Sequence, residues 1–124
     1  MSHHIFVVDD DPAISRLSTM VLEFEGFRVE AFTSPLDALA NLADPHFSQP
    51  KAIVLDLNMP ECDGREFYRR ARDGGYQSPI FILSAKGAKA AQTELGADGS
   101  LSKPFKPDDL AAGLKRVMAA YSFG

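Results

Sequence analysis

Ala52-Ile53-Val54-Leu55-Asp56 is a run of four apolar residues closed by a carboxylate. Four consecutive apolar positions have strand length and leave no polar face, the pattern of a strand buried on both sides of a sheet. The same arrangement recurs where Ile5 to Val8 runs into Asp9-Asp10, and where Ile80 to Leu83 runs into Ser84. A weaker strand, Gly99 to Ser102, runs into Lys103. Phe27, Val29 and Ala31 alternate with Arg28, Glu30 and Phe32, a largely period-two pattern suited to an edge strand with one wetter face.

Helical patterns fill the gaps. Ile14, Leu17, Val21 and Phe24 share one stripe, as do Leu110, Leu114, Val117 and Tyr121, and both stripes are expected to cover the sheet. Shorter helices are expected from about Pro35 to Ala43, from Arg65 to Asp73 and from Gly87 to Leu95. Asp11 before Pro12 and Ser34 before Pro35 each place a capping side chain ahead of a proline at the first helical position, while Gly26 and Gly96 are placed to end helices. Strand and helix thus alternate five times, which implies an α/β fold with parallel strands, right-handed crossovers and helices on both faces. Ligands of such sheets gather outside the carboxyl ends of the strands, so Asp9-Asp10, Asp56, Ser84 and Lys103 are expected to converge on one rim.

Composition narrows the classes. With 124 residues, 45% of them apolar, the chain reads as a single domain spanning 1–124. A net charge of -4 gives no global positive field, which argues against nucleic acid or an anionic membrane as the main partner. Met1-Ser2-His3-His4 carries no basic stretch ahead of an apolar run, and no apolar run approaches a membrane span. The single cysteine, Cys62, forms neither an internal disulfide nor a cysteine metal cluster, which fits a reducing, cytoplasmic setting. No repeat or linker divides the chain, and the last helical pattern stops a few residues before Gly124, so no attached output domain is expected.

Each group on the rim has an ordinary explanation when taken singly. Asp9-Asp10 reads as a solvated turn, Asp11 as the helix cap, Asp56 as the start of a turn, Ser84 as another cap and Lys103 as a solvated charge. Together they are harder to dismiss, because carboxylates at adjacent strand ends repel by roughly 4 kcal/mol per contact at about 4 Å and an effective dielectric of about 20. A divalent cation relieves that cost, and oxygen-only ligands favour magnesium, or manganese, with phosphate oxygen completing the shell. A carboxylate can then accept a phosphoryl group as an aspartyl phosphate, provided the charge on the transferring oxygens is neutralised. Lys103 offers a point charge and Ser84 a short hydrogen-bond donor for that purpose.

Ile5 to Pro12 (IFVVDDDP), Val54 to Gly64 (VLDLNMPECDG), Ser84-Ala85 and Gly99 to Phe105 (GSLSKPF) together resemble the motifs of response-regulator receiver domains, the phosphorylation switches of two-component signalling, in the chemotaxis-regulator-like form. The resemblance covers essentially the whole chain. It implies a flavodoxin-like, doubly wound five-stranded sheet in the order 2-1-3-4-5 with five helices. It makes Asp56 the phosphoacceptor, Asp10 a metal ligand beside Asp56, Asp9 a support for the metal through water, and Asn58 a donor of its backbone carbonyl. Ser84 becomes the hydroxyl that moves toward the phosphoryl group, Lys103 the cation that pairs with it, and Lys103-Pro104 a cis bond. Asn58 and Lys86, two positions beyond Asp56 and Ser84, flank the site, beside the path of the water that hydrolyses the acyl phosphate. The implied partners are a sensor histidine kinase or phosphotransfer protein as donor and a downstream protein target. The chain is then no enzyme in its own right but a phosphoacceptor that assists its own phosphorylation and dephosphorylation within a phosphorelay.

Two features depart from the family pattern. The position three residues before the lysine, often a large aromatic that reports the state, is Ser100, and the interval from Ser84 to Lys103 is short, with only Gly87 to Leu95 for the fourth helix. The surface formed by helix 4, strand 5 and helix 5 is therefore expected to be remodelled, with the change carried by backbone movement after Ser84. Two rival readings remain: a degenerate receiver that docks partners without phosphorylation, and a haloacid dehalogenase-like phosphatase. The phosphatase calls for a second aspartate two residues beyond the nucleophile, where this chain has Asn58. His3, His4 and His46 show no ligand spacing, Gly74-Gly75 reads as a turn, and Lys86, Lys89, Lys103 and Lys106 are better explained by a neighbouring anionic site than as a nucleic-acid patch.

Overall fold

The computed structural model describes residues 4–59 and 63–121; His3, Pro60, Glu61 and Cys62 lie outside them. The order is β1 (His4–Val8), α1 (Pro12–Phe24), β2 (Arg28–Phe32), α2 (Pro35–Ala43), β3 (Ala52–Asp56), α3 (Gly64–Asp73), β4 (Ile80–Ser84), α4 (Ala88–Leu95), β5 (Gly99–Ser102) and α5 (Pro107–Tyr121). The five strands form one sheet in the order β2-β1-β3-β4-β5, and every pair is parallel. The parallel α/β topology is thus as the sequence pattern implies, and the strand order as the family resemblance implies. Among the described residues no helix is long and apolar enough to cross a membrane.

Strand side chains alternate between two cores. Phe6, Val8, Ile53, Leu55, Ile80 and Ile82 face one core, shared with Ala38 of α2, Phe67 of α3 and Ala91 of α4. Ile5, Val7, Val54, Phe81 and Leu83 face the other, shared with Leu22 of α1 and Leu110 and Leu114 of α5. Burial on both faces explains the unbroken apolar runs of β3 and β4. Phe27, just before edge strand β2, and Val29 within it pack toward the second core, while Phe32, on the side expected to be wetter, meets Phe6 in a tilted contact with ring centroids 4.8 Å apart.

The α1 stripe needs correction. Phe24 is 88% exposed and Leu17 is also exposed, whereas the face turned inward carries Ser15, Ser18 and Leu22. Hydrophobic periodicity ranks side chains by polarity, but here the small Ser15 and Ser18 are buried while Leu17 and Phe24 stand outside, and of the expected stripe Val21 packs against the core. The hydroxyls of Ser18 and Thr19 are buried with no hydrogen-bond partner among the described residues. An unmade buried hydrogen bond is a cost, so Ser18→Ala is expected to raise stability by about 1 kcal/mol in urea unfolding. Lower stability in that variant would show that the hydroxyl is satisfied. The α5 stripe holds at Leu110 and Leu114, while Tyr121 is exposed at the helix end.

Caps fall where the sequence puts them. Asp11 accepts from the Ala13 and Ile14 N–H groups, and Ser34 from that of Asp37. Gly96 closes α4 at φ 77°, and Gly87, expected inside α4, instead precedes it at φ 66°. At the end of β4 away from the polar strand ends, Arg72 donates to the carbonyls of Tyr76 (2.9 Å) and Ser78 (2.8 Å) and meets Asp98 Oδ2 at 3.2 Å. Asp98 also accepts the Ile80 N–H at 2.9 Å, so one pair ties α3, the start of β4 and the approach to β5. Nothing in the local sequence pattern signals that clamp.

Candidate functional site

Register brings the polar strand ends level: Val8 pairs with Leu55, Asp56 with Leu83, and Ser84 with Ser102. Asp9, immediately after β1, and Asp56, the last residue of β3, are 1% and 2% exposed, and Asp10 is half-buried beside them. Carboxylate oxygens from these three residues lie within 4.8 Å of one another. Lys103, just beyond β5, places Nζ 3.1 Å from Asp56 Oδ1 and 3.3 Å from Asp9 Oδ2. The expected convergence of Asp9-Asp10, Asp56 and Lys103 is thus present in the geometry, with Ser84 at the adjoining strand end.

Local backbone fixes each group. Asp9 Oδ1 accepts the Asp11 N–H at 3.0 Å, and Asp56 Oδ1 accepts the Asn58 N–H at 3.2 Å, so both carboxylates are held by the turns they begin. Gly64 at the start of α3 packs directly on the end of β3: a Cβ there would lie 2.6 Å from the Asp56 carbonyl oxygen and 2.7 Å from Leu57 Cδ2. Only a glycine allows α3 to approach the phosphoacceptor candidate this closely.

Charge balance at the site is tight. Burial, followed by repulsion from Asp56, pushes the Asp9 carboxyl up to about 6, against the opposing pull of the Asp11 N–H and of Lys103. For Lys103, burial pulls the ammonium down, but Asp9 and Asp56 outweigh it and the net displacement is upward. One half-buried lysine therefore serves two buried carboxylates, with a third beside them. That donor set of hard oxygens, carrying more negative than positive charge, fits a small divalent cation.

The other expected site residues lie around the acidic cluster rather than in it. The Ser84 hydroxyl is directed at its own loop, donating to the Lys86 carbonyl at 2.7 Å and receiving the Lys86 N–H at 3.4 Å. Asn58 and Lys86 are exposed at the rim, and Lys89 and Lys106 are exposed as well, so of the four lysines only Lys103 enters the acidic cluster. His4 pairs with Glu30 at 3.2 Å, far along β1 from the cluster. The bond between Lys103 and Pro104 is cis. Ser100, half-buried, donates to Gln92 Oε1 of α4 at 2.6 Å, a partner that sequence reasoning did not identify.

Comparison with known proteins agrees with this fold. Residues 5–115 match the model of the response regulator receiver domain. The chain is 36% identical over 121 residues to the response regulator MprA of Mycobacterium ulcerans, an alignment covering 95% of this chain and 51% of that protein. The chain spans about half the length of the curated relatives it matches. The beryllofluoride-activated DrrB receiver domain superposes with a TM-score of 0.82 at 28% identity, covering 96% of this chain and 99% of that one. The chemotaxis protein CheY4 of Vibrio cholerae gives 0.80 at 30% identity, covering 94% and 99%. With the fold, the strand-end carboxylates and the match over nearly its whole length in agreement, the chain belongs to the response regulator receiver domain family of two-component signalling.

Proposed function

We propose that this receiver domain takes a phosphoryl group on Asp56 and signals by the rearrangement that follows. The observation that carries the reading is the placement of Asp56: a buried carboxylate at a strand end, 3.1 Å from a lysine and beside two further aspartates. A carboxylate oxygen of Asp56 attacks phosphorus as the donor's bond breaks, to a histidine nitrogen in a sensor kinase or phosphotransfer protein, or to an acyl oxygen in a small donor. The electron pair leaves on the donor atom. Asp10 and Asp56, with the Asn58 carbonyl and with Asp9 acting through water, are the residues that would hold magnesium or manganese. When bound, the ion supplies charge neutralisation at the phosphoryl oxygens. Lys103 is tethered to the carboxylates and is placed to pair with a new phosphoryl oxygen, while the Ser84 hydroxyl has to leave the Lys86 carbonyl to reach it. Lys86 and Asn58, at the rim, border the approach of hydrolytic water.

In this reading the chain assists its own phosphorylation and dephosphorylation and hands the signal to a downstream protein. The buried acidic cluster and its lysine favour that reading over a docking module without phosphorylation. Incubation with magnesium and acetyl phosphate is expected to add one phosphoryl group by intact mass, and none to Asp56→Asn. An unmodified wild type under these conditions would favour the docking module instead.

A further inference from the structure

The short helix α4 is held to the sheet by little. Its fully buried side chains are the two alanines Ala88 and Ala91, with Leu95 partly covered at its end. Its N-terminus has no side-chain cap, and the preceding Gly87 sits in the left-handed region. The link from β4 to that glycine is stitched by Ser84, whose hydroxyl bonds both the carbonyl and the N–H of Lys86. Deeper along the helix, the Ser100 hydroxyl of β5 donates to Gln92 Oε1 at 2.6 Å, fastening α4 to the sheet with a short polar tie. The Arg72–Asp98 pair secures the segment just before β5 from the opposite side. The segment after the helix is thus anchored through Asp98, the helix itself is tied at Gln92, and its N-terminal end can move once Ser84 lets go.

A serine side chain has one rotatable carbon. A hydrogen bond weakens steeply with distance and angle, so the Ser100–Gln92 bond survives only movements of α4 small enough for the Gln92 side chain to follow, and larger ones break it. Resting on the reading of Asp56 as phosphoacceptor, we infer that the Ser100–Gln92 hydrogen bond is a latch that holds α4 in its resting position. It opens when Ser84 leaves Lys86 for the phosphoryl group, and its strength sets the fraction of molecules in the signalling position. A ligand shifts such an equilibrium only by its preference for one state, and removing a contact made only in the resting state moves the balance the same way. Loss of one neutral hydrogen bond changes such an equilibrium by about 2- to 10-fold.

The test is amide NMR of the full chain with magnesium and beryllofluoride as the phosphoryl mimic. In Ser100→Ala, the free-state signals of Ala88 to Leu95 are expected to lie part-way toward their bound positions, with beryllofluoride binding several-fold tighter than in wild type. Gln92→Ala should do the same, the double variant no more than either single one, and Ser100→Thr, which keeps the hydroxyl, should stay near wild type. Wild-type affinity and wild-type free-state signals in both single variants, or weaker binding in them, would overturn the latch while leaving the site intact. Failure of wild type itself to bind beryllofluoride would overturn the phosphoacceptor reading and the latch with it.

Discussion

Asp9→Asn is expected to yield a metal-free protein more stable than wild type at pH 7.5 by about 2 kcal/mol, with magnesium affinity at least tenfold lower. Burial and Asp56 raise the Asp9 carboxyl from 3.8 to about 6. A carboxyl that holds its proton more tightly when folded favours the folded state wherever it is protonated. Its contribution is therefore complete below about pH 4 and is lost as pH rises through 6. A displacement of that size corresponds to about 3 kcal/mol. That value is already net of the pull of Lys103; part of it is given back in the variant because the buried Asn amide brings an NH2 group that must find acceptors. Urea unfolding in chelator at pH 5, 6 and 7.5 should show the metal-free wild type losing stability as pH rises relative to Asp9→Asn, the gap widening up to about pH 7. A variant less stable than wild type at pH 7.5 would mean that the Lys103 pairing outweighs burial and repulsion. A proton on Asp9 removes the charge that supports magnesium through water, so wild-type affinity should fall below about pH 6.

Gly64→Ala is expected to cost about 3 kcal/mol and to slow phosphoryl uptake, although no charged group is altered. The added methyl meets the Asp56 carbonyl at 2.6 Å, and both neighbours are held: Asp56 by its ladder with β4, Leu57 by its N–H bond to the Leu83 carbonyl. Relief must come from displacement of α3 or of the phosphoacceptor strand end. Gly74→Ala at the other end of α3, where φ is -79° and the nearest atom to an added Cβ is 3.2 Å away, should be close to neutral. Equal stability of the two variants would show that α3 yields without disturbing β3.

How much of this was legible in the sequence depends on where the information lies. β3 and β4 were readable because burial on both faces writes itself as an unbroken apolar run, and the residue that ends each run marks the rim. Asp9, Asp10, Asp56 and Lys103 follow from that placement. The inward face of α1 was misread in part, because Ser15 and Ser18 are buried there although polar, whereas Leu17 and Phe24 stand outside. Gly64 could be recognised as part of a motif, but its closeness to Asp56 belongs to tertiary packing. The partners of Ser84, Ser100 and Arg72 are also fixed by tertiary structure: a loop carbonyl, a glutamine on the next helix back and an aspartate 26 residues away. No periodicity encodes such contacts.

The central claim is that the phosphoryl group resides on the Asp56 carboxylate. Borohydride reduces an acyl phosphate to the alcohol, so phosphorylated protein treated with it and digested should carry homoserine at position 56 in peptide mass spectra, with no such product in Asp56→Asn. Homoserine at another aspartate, or phosphoryl mass retained on a serine, histidine or lysine with Asp56 unreduced, would contradict the account.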